Sequence, residues 1–127
     1  MTTRTRAAVL FAVGVLTATS LTAASGALAA PRAESALECG IAADMAVVAH
    51  SLAHEQIQRQ KADTIMARIY DVAQSERGQA LMKDILDAAY VPAGPVAKAT
   101  SQEFAQTLYS TCMKSGGDMD PVLGKKL

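Results

Sequence analysis

The two histidines and the two cysteines are the residues of this chain whose types and spacing could support chemistry. His50 and His54 stand four positions apart, so a helix would place both imidazoles on one side, where they could bind one metal ion. The pattern supplies no third ligand, and Glu55 follows the second His, whereas the zinc-protease motif needs Glu directly after the first. We therefore interpret the pair as a polar face turned toward solvent or the bundle edge. A metal or small-ligand carrier that uses His50 and His54 is the alternative function.

Cys39 and Cys112 are predicted to form a disulfide. Neither belongs to a C-x-x-C motif and neither has a flanking His, so the pattern does not favour a redox or catalytic thiol. In an oxidising compartment two thiols in a small domain usually pair. This pair would close a loop of about 74 residues, with a stabilisation of about 4 kcal/mol from the lost entropy of the unfolded chain. A disulfide between two chains is the alternative interpretation.

The first 29 residues have the pattern of an export signal. Arg4 and Arg6 precede an uncharged run rich in Ala, Val and Leu, and the segment ends Ala-Leu-Ala at 27–29. Small residues at these positions suit a signal peptidase, so cleavage is predicted after Ala29. An uncleaved membrane anchor is the alternative, but the apolar core at 7–16 is short for one. The sequence thus predicts an exported protein, periplasmic or extracellular, without stable membrane insertion after cleavage.

The charge of residues 30–127 excludes some classes of partner. Of the 12 basic side chains, Arg4 and Arg6 belong to the signal, which leaves ten against 12 acidic ones and a net charge of −2. Such a balance provides neither the basic surface that binds nucleic acid nor a polybasic patch for anionic lipid. Trp is absent, so Ala, Leu, Ile, Val and Met must fill most of the core.

Apolar residues recur with helical spacing throughout this region and predict an all-α domain at 30–117, followed by a tail at 118–127. Ser35 and Thr100 each begin a capping-box pattern, with Glu three positions later. The predicted helices run from the Ser35 cap to about 58, from 62 to 73, from the 75–78 break to about 90, and from the Thr100 cap to about 114. The main apolar stripe of the first comprises Leu37, Ile41, Met45, Val48 and Leu52. Its second face would allow a neighbouring helix to approach closely and is formed by small residues, namely Ala42, Ala46, Ala49 and Ala53.

The predicted disulfide favours an up-down bundle of about four helices. With an even number of antiparallel helices, the beginning of the first and the end of the last lie at the same end of the bundle. Cys39 and Cys112 could then approach to the roughly 5 to 6 Å between Cα atoms that a disulfide requires. With three helices they would lie at opposite ends.

The remaining motifs do not predict an enzyme. Asp118 and Asp120 lack the further oxygen ligands and the Gly of a calcium loop. Neither a nucleophile elbow nor a phosphate-binding glycine loop occurs, so we predict no catalytic residue and no cofactor. Methionines at helical spacing, including Met113, are interpreted as core residues. The sequence therefore favours a small exported binding or interaction module, such as a chaperone, an inhibitor or an accessory protein, with a possible protein partner.

Overall fold

The computed structural model describes residues 33–70 and 75–124, which belong to a compact unit spanning Ala30–Lys126. Six α-helices form the described part of the chain, and no β-strand occurs within it. They are α1 (Ala36–His54), α2 (Arg59–Ile69), α3 (Glu76–Ala89), α4 (Pro95–Lys98), α5 (Ser101–Lys114) and α6 (Asp120–Leu123). The all-α prediction is confirmed: four longer helices match the predicted ones and two short helices are additional. The predicted export signal lies outside the described residues.

The predicted helix starts are formed by the expected side chains. The Ser35 hydroxyl accepts a hydrogen bond from the Glu38 backbone N–H at 3.2 Å. At α5, Thr100 and Glu103 form a reciprocal capping box, with distances of 3.0 and 2.9 Å. Each such bond satisfies a backbone N–H that has no partner within its own helix, which fixes where the helix begins.

The break between α1 and α2 is real, and it falls a few residues earlier than predicted. α1 ends at His54, and Gln56 adopts a left-handed φ of +63° without the Gly that usually occupies such a position. The Ile57 N–H returns to the Leu52 carbonyl at 3.0 Å and closes the turn. Because neither Gly nor Pro marks this turn, only the phase of the apolar pattern indicates it.

α1 is the central helix, and its buried face combines the small-residue face with Met45 of the main stripe. Ile41, Val48 and Leu52 of that stripe are half-buried against the core. The helix packs most extensively on α5 and also contacts α3 and α2. Leu37 is 74% exposed, so that part of the prediction is wrong. The buried residues of α1 are Cys39, Ala42, Met45, Ala46, Ala49 and His50. Small side chains allow neighbouring helices to approach closely. By length and mean hydropathy (1.4) α1 could also cross a membrane, a property that the core helix of a bundle shares.

Two links join the beginning of α1 to the end of α5. Cys39 and Cys112 form the predicted disulfide, with their Cα atoms 5.7 Å apart. Beside it, the Ala33 N–H donates to the Gly117 carbonyl at 3.0 Å. Gly117 has a φ of +97°, and a Cβ there would lie 2.0 Å from the Ala33 carbonyl oxygen, so only glycine fits.

The segment beginning at Asp118 differs from the predicted tail. Residues 118–124 are described, and they include α6, which contacts both α3 and α5. Met119 and Leu123 are buried in the core, four positions apart, and hold this short helix on the domain. Met113, in contrast, is 46% exposed and is not the core residue that its spacing predicts.

Ion pairs join α3 to α1 and α2 to α3. Arg77 of α3 binds both carboxylate oxygens of Glu38 on α1, at 2.5 and 3.0 Å. The guanidinium of Arg77, and then the Glu34 backbone N–H, lower the pKa of Glu38 to about 2. Arg59 of α2 donates to Asp87 of α3 at 2.6 Å. The charged side chains of these pairs thus lie on the sides of α1 and α2 that face α3.

Candidate functional site

His50 is buried and is hydrogen-bonded through both ring nitrogens. Its Nδ1 lies 2.8 Å from the Ser101 Oγ, and its Nε2 lies 3.1 Å from the Val96 carbonyl oxygen. Since a carbonyl only accepts, Nε2 carries a proton and donates it, and in the neutral ring Nδ1 accepts from the Ser101 hydroxyl. The predicted exposed position is therefore wrong for His50, which is 5% exposed, because α4 and the start of α5 cover this part of α1. His54, one turn later, is exposed.

The two histidines are adjacent but do not form a metal centre with other residues. Their rings stack, with centroids 6.1 Å apart and planes inclined by 12°. A metal at His50 would have to displace either the Ser101 or the Val96 hydrogen bond. Among residues 33–70 and 75–124, no group of three or more His, Cys, Asp or Glu side chains could hold an ion. In this arrangement His50 ties α1 to α4 and α5.

The disulfide leaves no thiol for chemistry in the described part of the chain. Cys39 and Cys112 are bonded to each other, and both are buried, with exposed fractions of 2% and 0%. A thiolate nucleophile or metal ligand would require reduction of this bond. The pair thus has a structural position between α1 and α5.

The side of α1 and α5 that faces away from the other long helices carries exposed apolar side chains. Tyr109 and Met113 are 42% and 46% exposed, and they stand one turn apart on α5. Tyr109 borders a shallow cleft of about 450 Å³ that reaches Ala43 of α1. The spacing of α1 places Ala36, Gly40 and Val47 on the same side as Ala43. We call this surface the α1–α5 face, and it comprises Ala36, Gly40, Ala43, Val47, Gln106, Tyr109, Ser110 and Met113.

None of the residues of the α1–α5 face is charged. The charged side chains of α1 point elsewhere: Glu38 binds Arg77 on α3, and Asp44 accepts a hydrogen bond from the Tyr70 hydroxyl at 2.7 Å. Burial, and then this hydrogen bond, raise the pKa of Tyr70 above its usual value. An exposed surface of two helices without a charge is informative, whereas single exposed apolar residues are ordinary.

Sequence reasoning did not identify this face, because helical spacing assigned Met113 to the core stripe of the last helix. That stripe needs only Phe104, Ala105, Leu108 and Cys112, which are the buried residues of α5. Tyr109 and Met113 each stand one position after a core residue, about 100° further around the helix. This offset is the signal that could have separated them from the core.

A second cleft, between α4, α5 and α6, is apolar but small. Its volume is about 220 Å³, and its lining includes Val96, Phe104 and Val122. Ligand pockets commonly measure about 300 to 1,000 Å³, so this cleft is below the usual range. The carboxylate at its edge, Glu103, already accepts the Thr100 N–H in the capping box. The α1–α5 face is therefore the stronger candidate.

Comparison with known proteins adds no functional information. No protein-family model matches the chain, and searches of curated proteins and of solved structures give no match.

Proposed function

We propose that the protein is an exported, non-catalytic binding module that recognises a protein partner through the α1–α5 face. The observation that carries this proposal is the exposure of Tyr109 and Met113 beside an uncharged cleft. Aromatic residues and Met are enriched in protein interfaces, where they bury large areas, while charged residues are depleted from interface centres. The flexible thioether of Met also adapts readily to the shape of a partner.

The shape of the face favours a helical partner. Two antiparallel helices enclose a shallow groove, and the small residues Gly40 and Ala43 allow another helix to approach along it. A charged group buried in this groove would lose its hydration without gaining an opposite charge, which is unfavourable. The expected partner therefore presents an uncharged helix surface.

Export is supported by two independent features of the chain. The first 29 residues have the composition of a signal peptide, and the domain contains a buried disulfide. Disulfides persist in oxidising compartments and are rare in the cytosol. The binding function thus belongs to the periplasm or the extracellular space.

The hydrogen bond between Ser101 and His50 bears on whether the protein could be an enzyme. This contact resembles that of a serine nucleophile with its base. However, His50 is buried between helices, and Ser51 lies 3.2 Å from the Ser101 hydroxyl, so we interpret the three side chains as a bridge between α1 and α5. We expect no covalent labelling of Ser101 by a fluorophosphonate probe. Labelling that is lost in His50→Ala would instead indicate an active serine.

The recognition surface can be tested by site-specific photo-crosslinking in the native host, with the signal segment intact. A photoreactive phenylalanine analogue is placed at Tyr109 or Met113, and matched controls carry it at Ile69 or Val91, which are 52% and 49% exposed. We expect a defined protein adduct, with another protein or with a second copy of this chain, from the first two positions only.

Purified partner, identified by mass spectrometry, should then bind the wild type at least about tenfold more tightly than Tyr109→Ala, as for a central interface residue. Equal adducts from all four positions, or none from positions 109 and 113, would refute the proposal.

A further inference from the structure

Met113 is the methionine of the described domain that is open to solvent. The chain has six methionines, and five of them lie among the described residues. Met113 is 46% exposed, whereas the other four are at most 8% exposed, namely Met45, Met66, Met82 and Met119. The two cysteines of the chain are already joined in the buried disulfide. Among residues 33–70 and 75–124, Met113 thus combines a reactive sulfur with access to solvent, a combination that the other sulfur-containing residues lack.

We infer that Met113 is an oxidation site, and that its conversion to methionine sulfoxide by a peroxide prevents partner binding at the α1–α5 face. This inference rests on the proposed function, since it names a regulation of the same face. Oxidation of a methionine follows the access of the oxidant to its sulfur, and the sulfoxide is polar where the thioether is apolar. One exposed methionine on an uncharged surface therefore makes that surface sensitive to peroxide.

The reaction transfers one oxygen atom. The sulfur of Met113 attacks one oxygen of hydrogen peroxide with a lone pair, so the S–O bond forms as the O–O bond breaks. The sulfur loses two electrons, and the departing hydroxide takes the proton of the transferred oxygen and becomes water. Reductases return the sulfoxide to methionine, one enzyme for each configuration at sulfur. The exposed position of Met113 gives both the peroxide and such a reductase access to the side chain.

The fold tolerates a sulfoxide at this position. The buried residues of α5 are Phe104, Ala105, Leu108 and Cys112, so Met113 does not belong to the core. Water can donate hydrogen bonds to the new sulfoxide oxygen, because the side chain is about half exposed. Oxidation of a methionine in the core, in contrast, would bury a polar oxygen without a donor. Oxidation of Met113 should therefore change the surface and leave the domain folded.

Partner binding is more sensitive to the sulfoxide than folding is. Met113 stands one turn from Tyr109, and none of the residues of the α1–α5 face is charged. The expected partner covers this face with an uncharged helix surface, which removes water from the sulfoxide oxygen without supplying a charged donor. Sulfoxide at position 113 should raise the Kd for the purified partner at least about tenfold, and treatment with both reductases should restore it.

The first part of the test determines which methionine is oxidised. The purified, disulfide-bonded protein is treated with hydrogen peroxide, and peptide mass spectrometry follows the sulfoxide at each methionine over time. Met113 should react at least about tenfold faster than the buried methionines, which meet peroxide only when the structure opens locally. In urea-unfolded protein all of them should react at similar rates. Equal rates in the folded protein would overturn the inference, as would a loss of helical circular dichroism on oxidation of Met113 alone.

The second part measures partner contact in the native host, with the signal segment intact. A photoreactive phenylalanine analogue at Tyr109 reports the contact, with or without brief exposure of the cells to hydrogen peroxide before irradiation. Peroxide should remove most of the adduct. Met113→Leu keeps an apolar side chain of similar volume without the sulfur, so its adduct should form and resist peroxide. Met113→Gln carries a polar amide at this position and should lack the adduct even without peroxide.

The outcomes separate the inference from the proposed function. An adduct that forms in untreated cells and survives peroxide overturns the inference and leaves the proposed function standing. The same holds if peroxide removes the adduct equally from Met113→Leu, because the sensitive group then lies elsewhere. If untreated cells give no adduct at all, the proposed function fails, and the inference that rests on it fails with it.

Discussion

Replacing Gly117 with Ala should detach the segment before α1 from the end of α5. The added Cβ would lie 2.0 Å from the Ala33 carbonyl oxygen, whereas real Cβ contacts lie beyond 3.0 Å. The obstructing atom belongs to the backbone and cannot rotate away. The Ala33–Gly117 hydrogen bond and the close contact of these two segments must therefore be lost together.

The cost has three parts. Forcing Ala into the φ of +97° costs about 1 to 3 kcal/mol. Losing the hydrogen bond between the two backbones costs about 1 kcal/mol, and exposing the buried Ala33 methyl costs a further ~1 kcal/mol. Gly117→Ala should thus lower the free energy of unfolding by about 3 to 5 kcal/mol, a large share of the stability of a small domain.

Urea denaturation of the oxidised protein, followed by circular dichroism, measures this change. Gly94→Ala is the matched control, since Gly94 has a φ of +108° but a Cβ there meets nothing within 4 Å. It should therefore show the backbone cost alone, and Gly117→Ala should exceed it by about 2 kcal/mol. Equal losses in the two variants, within about 0.5 kcal/mol, would show that the Ala33 contact does not limit position 117.

Three further predictions concern the links between helices. Reducing the disulfide, which joins residues 73 positions apart, should lower the free energy of unfolding by about 4 kcal/mol in urea titrations; a loss below about 1 kcal/mol contradicts a structural role. The Glu38 pKa of about 2, below its ordinary 4.5, means that its pairing with Arg77 stabilises the fold fully above pH 4.5 and is lost as the pH falls toward 2. Because Arg77 is 44% exposed, solvent screens the pair, and its contribution to the free energy of unfolding is about 1 kcal/mol. Glu38→Gln should therefore weaken the fall in stability at acid pH; wild type and variant with parallel curves of stability against pH would contradict this. His50→Ala should destabilise by about 2 to 4 kcal/mol, since it leaves a cavity and removes the donor to the Val96 carbonyl. His54→Ala should cost under about 0.5 kcal/mol, and equal costs would contradict the bridging role of His50. Neither substitution should change the heat of zinc titration.

Several features of the fold were accessible from the sequence because they depend on neighbouring residues. The caps at Ser35 and Thr100 are local hydrogen bonds over three positions, and the helices that they begin were predicted correctly. The disulfide was predictable because two cysteines allow one intramolecular pairing, and an even helix number brings Cys39 and Cys112 to one end. The turn at Gln56 was indicated only by a change of phase, so its position was less accurate.

The candidate surface, in contrast, was decided by tertiary packing. Periodicity identifies the apolar faces of a helix but not how far its neighbours cover each one, so Leu37 has the spacing of the main stripe and yet is 74% exposed. His50 is buried because α4 and α5 cover it, and these helices are distant in sequence. The sequence by itself determined the four longer helices, the disulfide and the net charge. Only the packing of α1 against α5 decided that uncharged residues of both helices, including Tyr109, form one exposed face. Which residues of two helices become neighbours depends on how the helices pack and not on spacing along the chain.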